Sequence, residues 1–187
     1  MPDSIDKETT MKKILLGLLA LIIIAAGVLF GINGTSNYDA SKYSLTITPA
    51  DQHFGTGSTI DFILPDQFDK THKLSTTTEK LIFAFTKDTG HIVKIFMTEK
   101  PEGYLTKRHA VIVADISAMP VVIQNTFALP DLRKSNYSMM LIYDKEMAKQ
   151  LKEGQEATKV IVMTLKDKKV IKVELASSEA ELNTLLK

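Results

Sequence analysis

Residues 80–97, "KLIFAFTKDTGHIVKIFM", set the architecture of this chain. LIFAF, 81–85, is a continuous apolar run, as a strand covered on both faces requires. A polar turn follows, and then Ile92, Ile95 and Phe96 recur at helical spacing until Pro101, with Asp88 or Thr89 as the expected cap. Beyond it "HAVIVAD", 109–115, is a second buried strand, which a right-handed crossover sets parallel to the first. A strand-helix-strand unit results.

Working outward toward the C-terminus, Ser117 precedes "AMPVVIQNTFAL". Pro120 fits only a first helical turn, Val122, Ile123, Phe127 and Leu129 supply the buried face, and this helix ends near Pro130. "SMMLIY", 138–143, is a strand, and Asp144 caps a helix over 145–153 that Gly154 stops. "TKVIVMTL" and "KVIKVEL" form a hairpin turning at Asp167. Ser178 and Glu181 form the capping box of a closing helix with Leu182, Leu185 and Leu186 on its apolar face. On the N-terminal side, "SLTIT" and "STIDFILP", ended by Pro49 and Pro65, read as edge strands around a turn at Gly55 and Gly57.

The first third is of another kind. Ile14 to Ile32, "ILLGLLALIIIAAGVLFGI", is 19 residues without a charge, close to the roughly 20 that cross a bilayer as a helix. A cleaved secretory signal is the rival reading, but the run is long for one and "NGTSNYDA" offers no Ala-x-Ala site. Lys12 and Lys13 precede the run and Asp39 is the first charge after it, so the lysines stay in the cytoplasm and the domain lies outside, in the periplasm or an equivalent extracytoplasmic space. The expected organisation is a cytoplasmic N-terminus, 1–13; a transmembrane anchor, 14–32; a polar tether, 33–43; and one domain, 44–187. Residues 1–10 precede a second methionine, Met11, from which an ordinary start would also run.

Composition narrows the function. Lys+Arg 23 against Asp+Glu 22 leaves a net charge of +1, so no general field draws nucleic acid. With no cysteine, thiol nucleophiles, disulfides and thiolate metal sites are excluded. His53, His72, His91 and His109 lack the short spacings of metal sites, and Met97, Met139 and Met140 read as core filler, so neither metal nor cofactor is expected. Asp66, Asp69 and Asp88 read as turn and cap residues, and Gly55-Thr56-Gly57 is no dinucleotide fingerprint.

The element order, together with "FILPDQFDKTHKL", 62–74, and "KLIFAFTKDTG", resembles the lead-in, strand and turn of peroxiredoxin and TlpA-type members of the thioredoxin-like superfamily. The resemblance implies an α/β, three-layer domain with a central mixed sheet over about 58–187, here a cysteine-free and redox-inactive member preceded by one transmembrane helix. In that family the reactive cysteine lies in the first turn of the helix after the central strand. Thr89, Gly90, His91 and Ile92 stand there in this chain, and none is a thiol. Phe68 and Asp69 replace the usual polar residue and glycine of the lead-in, and the family's cis-proline has no counterpart near Tyr137 or Ser138.

The resemblance thus makes Asp88, Thr89, Gly90, His91 and Ser138 the candidate binding turn. Physically, the first amides of a helix lack intrahelical partners and carry partial positive charge, which suits an anion or a partner's carboxylate. Neither a disulfide oxidoreductase nor a peroxidase is expected. The expected function is protein binding or scaffolding, with another envelope or membrane protein as partner. The alternatives are a non-thiol ligand-binding protein or enzyme using the helix N-terminus at Thr89–His91, and an accessory subunit contacted mainly through its anchor.

Overall fold

The computed structural model describes residues 3–49 and 53–187; within the first helix it describes the side chains of 11–25, 27, 28 and 31. That helix, α1, runs Asp3–Asn33 as one piece. Among the described residues no helix is long and apolar enough to cross a membrane. The anchor expected at 14–32 includes positions 26, 29, 30 and 32, whose side chains lie outside the described residues, as do those of 3–10.

The domain is built on strands β1 (Ser44–Thr48), β2 (Thr59–Pro65), β3 (Thr71–Lys73), β4 (Lys80–Ala84), β5 (Ala110–Asp115), β6 (Met140–Ile142), β7 (Val160–Lys166) and β8 (Lys169–Ala176). They form one mixed sheet in the order β1-β2-β8-β7-β4-β5-β6, with β3 paired to β2. The apolar run at 81–85 lies inside the sheet as expected, with β4 parallel to β5 and antiparallel to β7. β5 and β6 are also parallel.

Alternation along β4 divides the core. Ile82 and Ala84 face one layer with Ile112, Leu141, Val162 and Leu182, whereas Leu81 and Phe83 face the other with Phe62, Leu64, Ile161 and Leu151. Burying each of the larger side chains contributes about 1.5–3 kcal/mol, so both faces of the sheet must be covered. The first layer is helical: α2 (Lys87–Thr98), α3 (Tyr104–Lys107), the segment 121–132 and α7 (Glu179–Leu185). β2 and α6 (Lys145–Lys152) cover the second.

β2 was expected at an edge but has β1, β3 and β8 as neighbours. Its ends explain why. Thr59 pairs with Lys169 of β8, while Asp66, just past the strand, bridges Met140 of β6. The segment 59–66 therefore crosses a sheet face from one side to the other, a span of roughly 20–25 Å for an extended chain of that length. Ile60, Phe62 and Leu64 point inward from it and are buried.

The helical segment 121–132 departs most from expectation. It consists of α4 (Val121–Ile123), a wide turn over Gln124–Ala128 and α5 (Leu129–Leu132). Pro130 has no N–H and crowds the preceding turn, which widens so that the Leu129 N–H reaches the Gln124 carbonyl. The inward positions become Gln124 and Leu129, five apart, and Gln124 Nε2 donates to the carbonyls of Ile116 and Met119. Ile123 and Phe127, expected in the core, are turned outward at 40% and 62% exposure.

Other expectations hold with small shifts. Asp144 caps α6, accepting from the Glu146 and Met147 N–H groups. The β7–β8 hairpin turns through Asp167 and Lys168, whose φ of 50° and 65° suit a primed turn. Ser178 accepts from the Glu181 N–H, but the Glu181 carboxylate takes the Ser177 N–H.

Candidate functional site

The turn between β4 and α2 is self-contained. Thr86, not Asp88 or Thr89, is the N-cap: its hydroxyl accepts from the Thr89 N–H, and the Thr89 hydroxyl accepts from the Thr86 N–H. The local reason is that Thr86 is the last extended residue before α2, and a threonine three positions on completes a reciprocal capping pair. Thr89 is wholly buried, its hydroxyl also donating to the Thr86 carbonyl at 2.9 Å. Asp88 and His91 are exposed and Gly90 half-buried. None of these residues lines the cavities beside Lys149, between Tyr38 and Pro120, or beside Arg133.

Ser138 does not join that turn. The strand that borders β4 on the side away from β5 is β7, which begins at Val160, whereas Ser138 precedes β6 beyond β5. Its hydroxyl instead donates to Asp66 Oδ2 at 3.1 Å. Asp66 is the centre of a network that the sequence reading took for an ordinary turn residue. His72 Nε2 lies 2.8 Å from the same oxygen, and Oδ1 accepts from the N–H groups of Phe68 and Lys70. Beside it the buried Gln67 accepts from the Met139 N–H and donates to the Tyr137 carbonyl. Burial by itself would raise the Asp66 pKa, but the hydrogen bonds from His72, the Lys70 and Phe68 amides and Ser138 outweigh it and hold it below the ordinary value. This arrangement fastens the end of β2 to β6, with His72 and Ser138 both bonded to the Asp66 carboxylate.

A second constellation lies where the N-terminal segment meets the domain. The stretch expected to be a tether, 33–43, lies along the domain: the Thr35 carbonyl accepts from Asn125 Nδ2 at 3.0 Å, and Tyr38 stacks on both Tyr43 and Tyr143 at 5.3 and 4.9 Å. Under it is a polar cavity of about 260 Å³. Arg133 borders the cavity, donating from Nε to the Gln67 carbonyl and from a terminal nitrogen to Asp69 Oδ2 at 3.2 Å. Burial, helped by the Asp69 carboxylate, pushes the Tyr143 pKa up to about 12. Burial also raises Tyr38, whose hydroxyl has no hydrogen-bond partner among the described residues. No local sequence signal joins Tyr38 to Tyr143 or Asp66 to Ser138, because each pair is brought together only by the sheet. Among the described residues no three metal-ligating side chains converge.

No family model matches the chain, and no curated protein matches it. Among solved structures it is similar to the peroxidoxin BcpB from Mycobacterium tuberculosis, at 20% identity over 72% of this chain and 95% of that one, with a TM-score of 0.49. It is also similar to a putative thiol:disulfide interchange protein DsbE from Chlorobium tepidum, at 14% identity over 72% and 94%, TM-score 0.48. An uncharacterized thioredoxin-like protein from Porphyromonas gingivalis is similar at 16% identity over 66% and 86%, TM-score 0.45. The fold itself is read from the topology: a parallel β4-α2-β5 unit, an antiparallel β7–β8 hairpin on the far side of β4, and a closing helix. That is the thioredoxin-like arrangement. The chain carries it without a single cysteine.

Proposed function

We propose that this chain is a membrane-anchored, extracytoplasmic thioredoxin-like domain that works by binding another envelope protein rather than by thiol chemistry. The observation that favours binding is the closed turn at the start of α2. With its Thr89 amide taken by Thr86, and with none of the three described cavities reaching it, the turn offers a small anion little, which weighs against the ligand-binding alternative. What α2 offers is a surface: His91 and Ile95, one turn apart, are both exposed, Ile95 at 39%.

The anchor reading is supported by α1. Its described large apolar side chains, from Met11 to Val28, are all more than half exposed, and none of them belongs to either core cluster of the domain. Left in water, each would forgo about 1.5–3 kcal/mol of burial, whereas a bilayer supplies apolar surroundings to a helix that satisfies its own backbone. The Lys12–Lys13 pair ahead of the run favours a cytoplasmic N-terminus.

A photo-crosslinking residue at Ile95, with a control probe at the exposed Asp167, tests the binding reading in the full-length protein in native membranes. A single protein adduct from 95 and none from 167 is the expected result. Equal or absent adducts at both positions would overturn it. Carbonate extraction of the same membranes tests the anchor: the chain should stay in the pellet, and release into the supernatant would refute insertion.

A further inference from the structure

Ile123 and Phe127 sit one turn apart, exposed, on a segment in which the wide turn leaves Leu129 buried and Val121, Val122 and Leu132 half-buried. Their position relative to α1 is what makes them informative. The backbone of α1 approaches that of α4, and Thr35 is hydrogen-bonded to Asn125, which lies between the two exposed residues in sequence. From Ile32, the end of the apolar run, to Thr35 is three residues, which span at most about 11 Å even when extended. The headgroup region on one side of a bilayer is roughly 5–8 Å deep beyond the hydrocarbon. A domain held to α1 by so short a link cannot lift this helix far from the surface.

The neighbouring charge has the matching sign. Ser36 and Tyr38 share a groove with Ser117, Ala118 and Lys145, and the groove continues along α6 past Lys145, Lys149 and Lys152. Lys152 is held by Asp115 at 2.8 Å, but among the described residues Lys145 and Lys149 have no acidic partner. Glu153 also borders the groove and lies 3.8 Å from His53.

We propose that this face is a second membrane contact: Ile123 and Phe127 dip into the bilayer interface beside the anchor, while Lys145 and Lys149 meet anionic headgroups. The proposal rests on the reading of α1 as a membrane span. It fixes the domain's orientation, since α2 and its exposed face are then held at a set angle to the membrane instead of swinging on a tether.

The chain has no tryptophan, so single Phe127→Trp, Ile171→Trp and Ile22→Trp variants each report one position. Ile171 is 52% exposed on β8, four places from β6 in the strand order, and Ile22 lies within α1. Full-length variants are reconstituted into phosphatidylcholine vesicles that contain anionic phosphatidylglycerol, with and without brominated acyl chains. Strong quenching of Ile22→Trp and of Phe127→Trp, with Ile171→Trp unquenched, is the expected result. Quenching of Ile22→Trp alone overturns this proposal and leaves the anchor standing; an unquenched Ile22→Trp overturns the anchor and this proposal with it. Equal quenching at 127 and 171 also overturns it, as generalised adsorption. Each lysine near an anionic surface contributes about fivefold in local partitioning. The Lys145→Gln/Lys149→Gln pair in the Phe127→Trp background should therefore shift the surface equilibrium by about 25-fold, and unchanged quenching would refute the lysine contact.

Discussion

Replacing Asp66 by asparagine tests whether its network holds β2 to the far side of the sheet. The carboxylate has a nearly buried side chain, 4% exposed, and accepts two backbone amides, the Ser138 hydroxyl and a bond with His72. Asparagine keeps one acceptor for the Phe68 and Lys70 amides but puts an NH2 group toward Ser138 and His72. One charge-assisted acceptor is lost and a donor meets a donor. Bonds to a charged group contribute about 1.5–3 kcal/mol each, so allowing for rearrangement the expected loss is about 2 kcal/mol at neutral pH. For a domain of this size that is a melting temperature lower by roughly 4–8 °C.

The same network sets a pH dependence. The folded pKa of Asp66 lies below its unfolded value of 3.8, so the stabilisation is complete above that value and is lost as pH falls through the folded one. The gap between wild type and Asp66→Asn should therefore narrow below about pH 4. Urea unfolding of the full-length chain in mild detergent, followed by circular dichroism at neutral and acidic pH, measures it. A gap under about 0.5 kcal/mol at neutral pH, or one that widens in acid, would refute the argument, because typical surface substitutions fall within that range.

Thr86→Ala should cost about 1 kcal/mol as loss of an N-cap, and Thr89→Val a similar amount; because the two hydroxyls serve each other, the double variant should cost less than their sum, which a double-mutant cycle reads directly. Phe83 is fully buried, edge-on to Phe54 at 5.9 Å and stacked on Phe85 at 5.4 Å, so Phe83→Ala should destabilise by about 3–5 kcal/mol. A marginal change there would mean that β2 does not seal this face. Tyr143 should ionise near pH 12, and an ultraviolet titration should lose that step in Tyr143→Phe. Because its folded pKa is raised, its contribution to stability is complete below the unfolded value near 10 and fades as pH rises through about 12.

What the sequence determined by itself was local. The apolar run at 81–85 demanded cover on both faces, Asp144 and Ser178 announced their helices, and Asp167 marked the hairpin, because periodicity, caps and turns depend on residues a few positions apart. The absence of cysteine settled the thiol question before any coordinates. The tertiary structure decided everything that depends on which segments meet. It gave the Thr86 hydroxyl the cap expected of Asp88 or Thr89, and it sent Ser138 to Asp66, 72 residues away, instead of to the α2 turn. It laid the N-terminal segment against Tyr143 and Asn125. It also turned Ile123 and Phe127 to the surface, since a proline one turn later widened the helix and shifted the phase that a regular 3.6-residue period implies. Such contacts join distant parts of the chain through the sheet's strand order, and no short window of sequence carries that order.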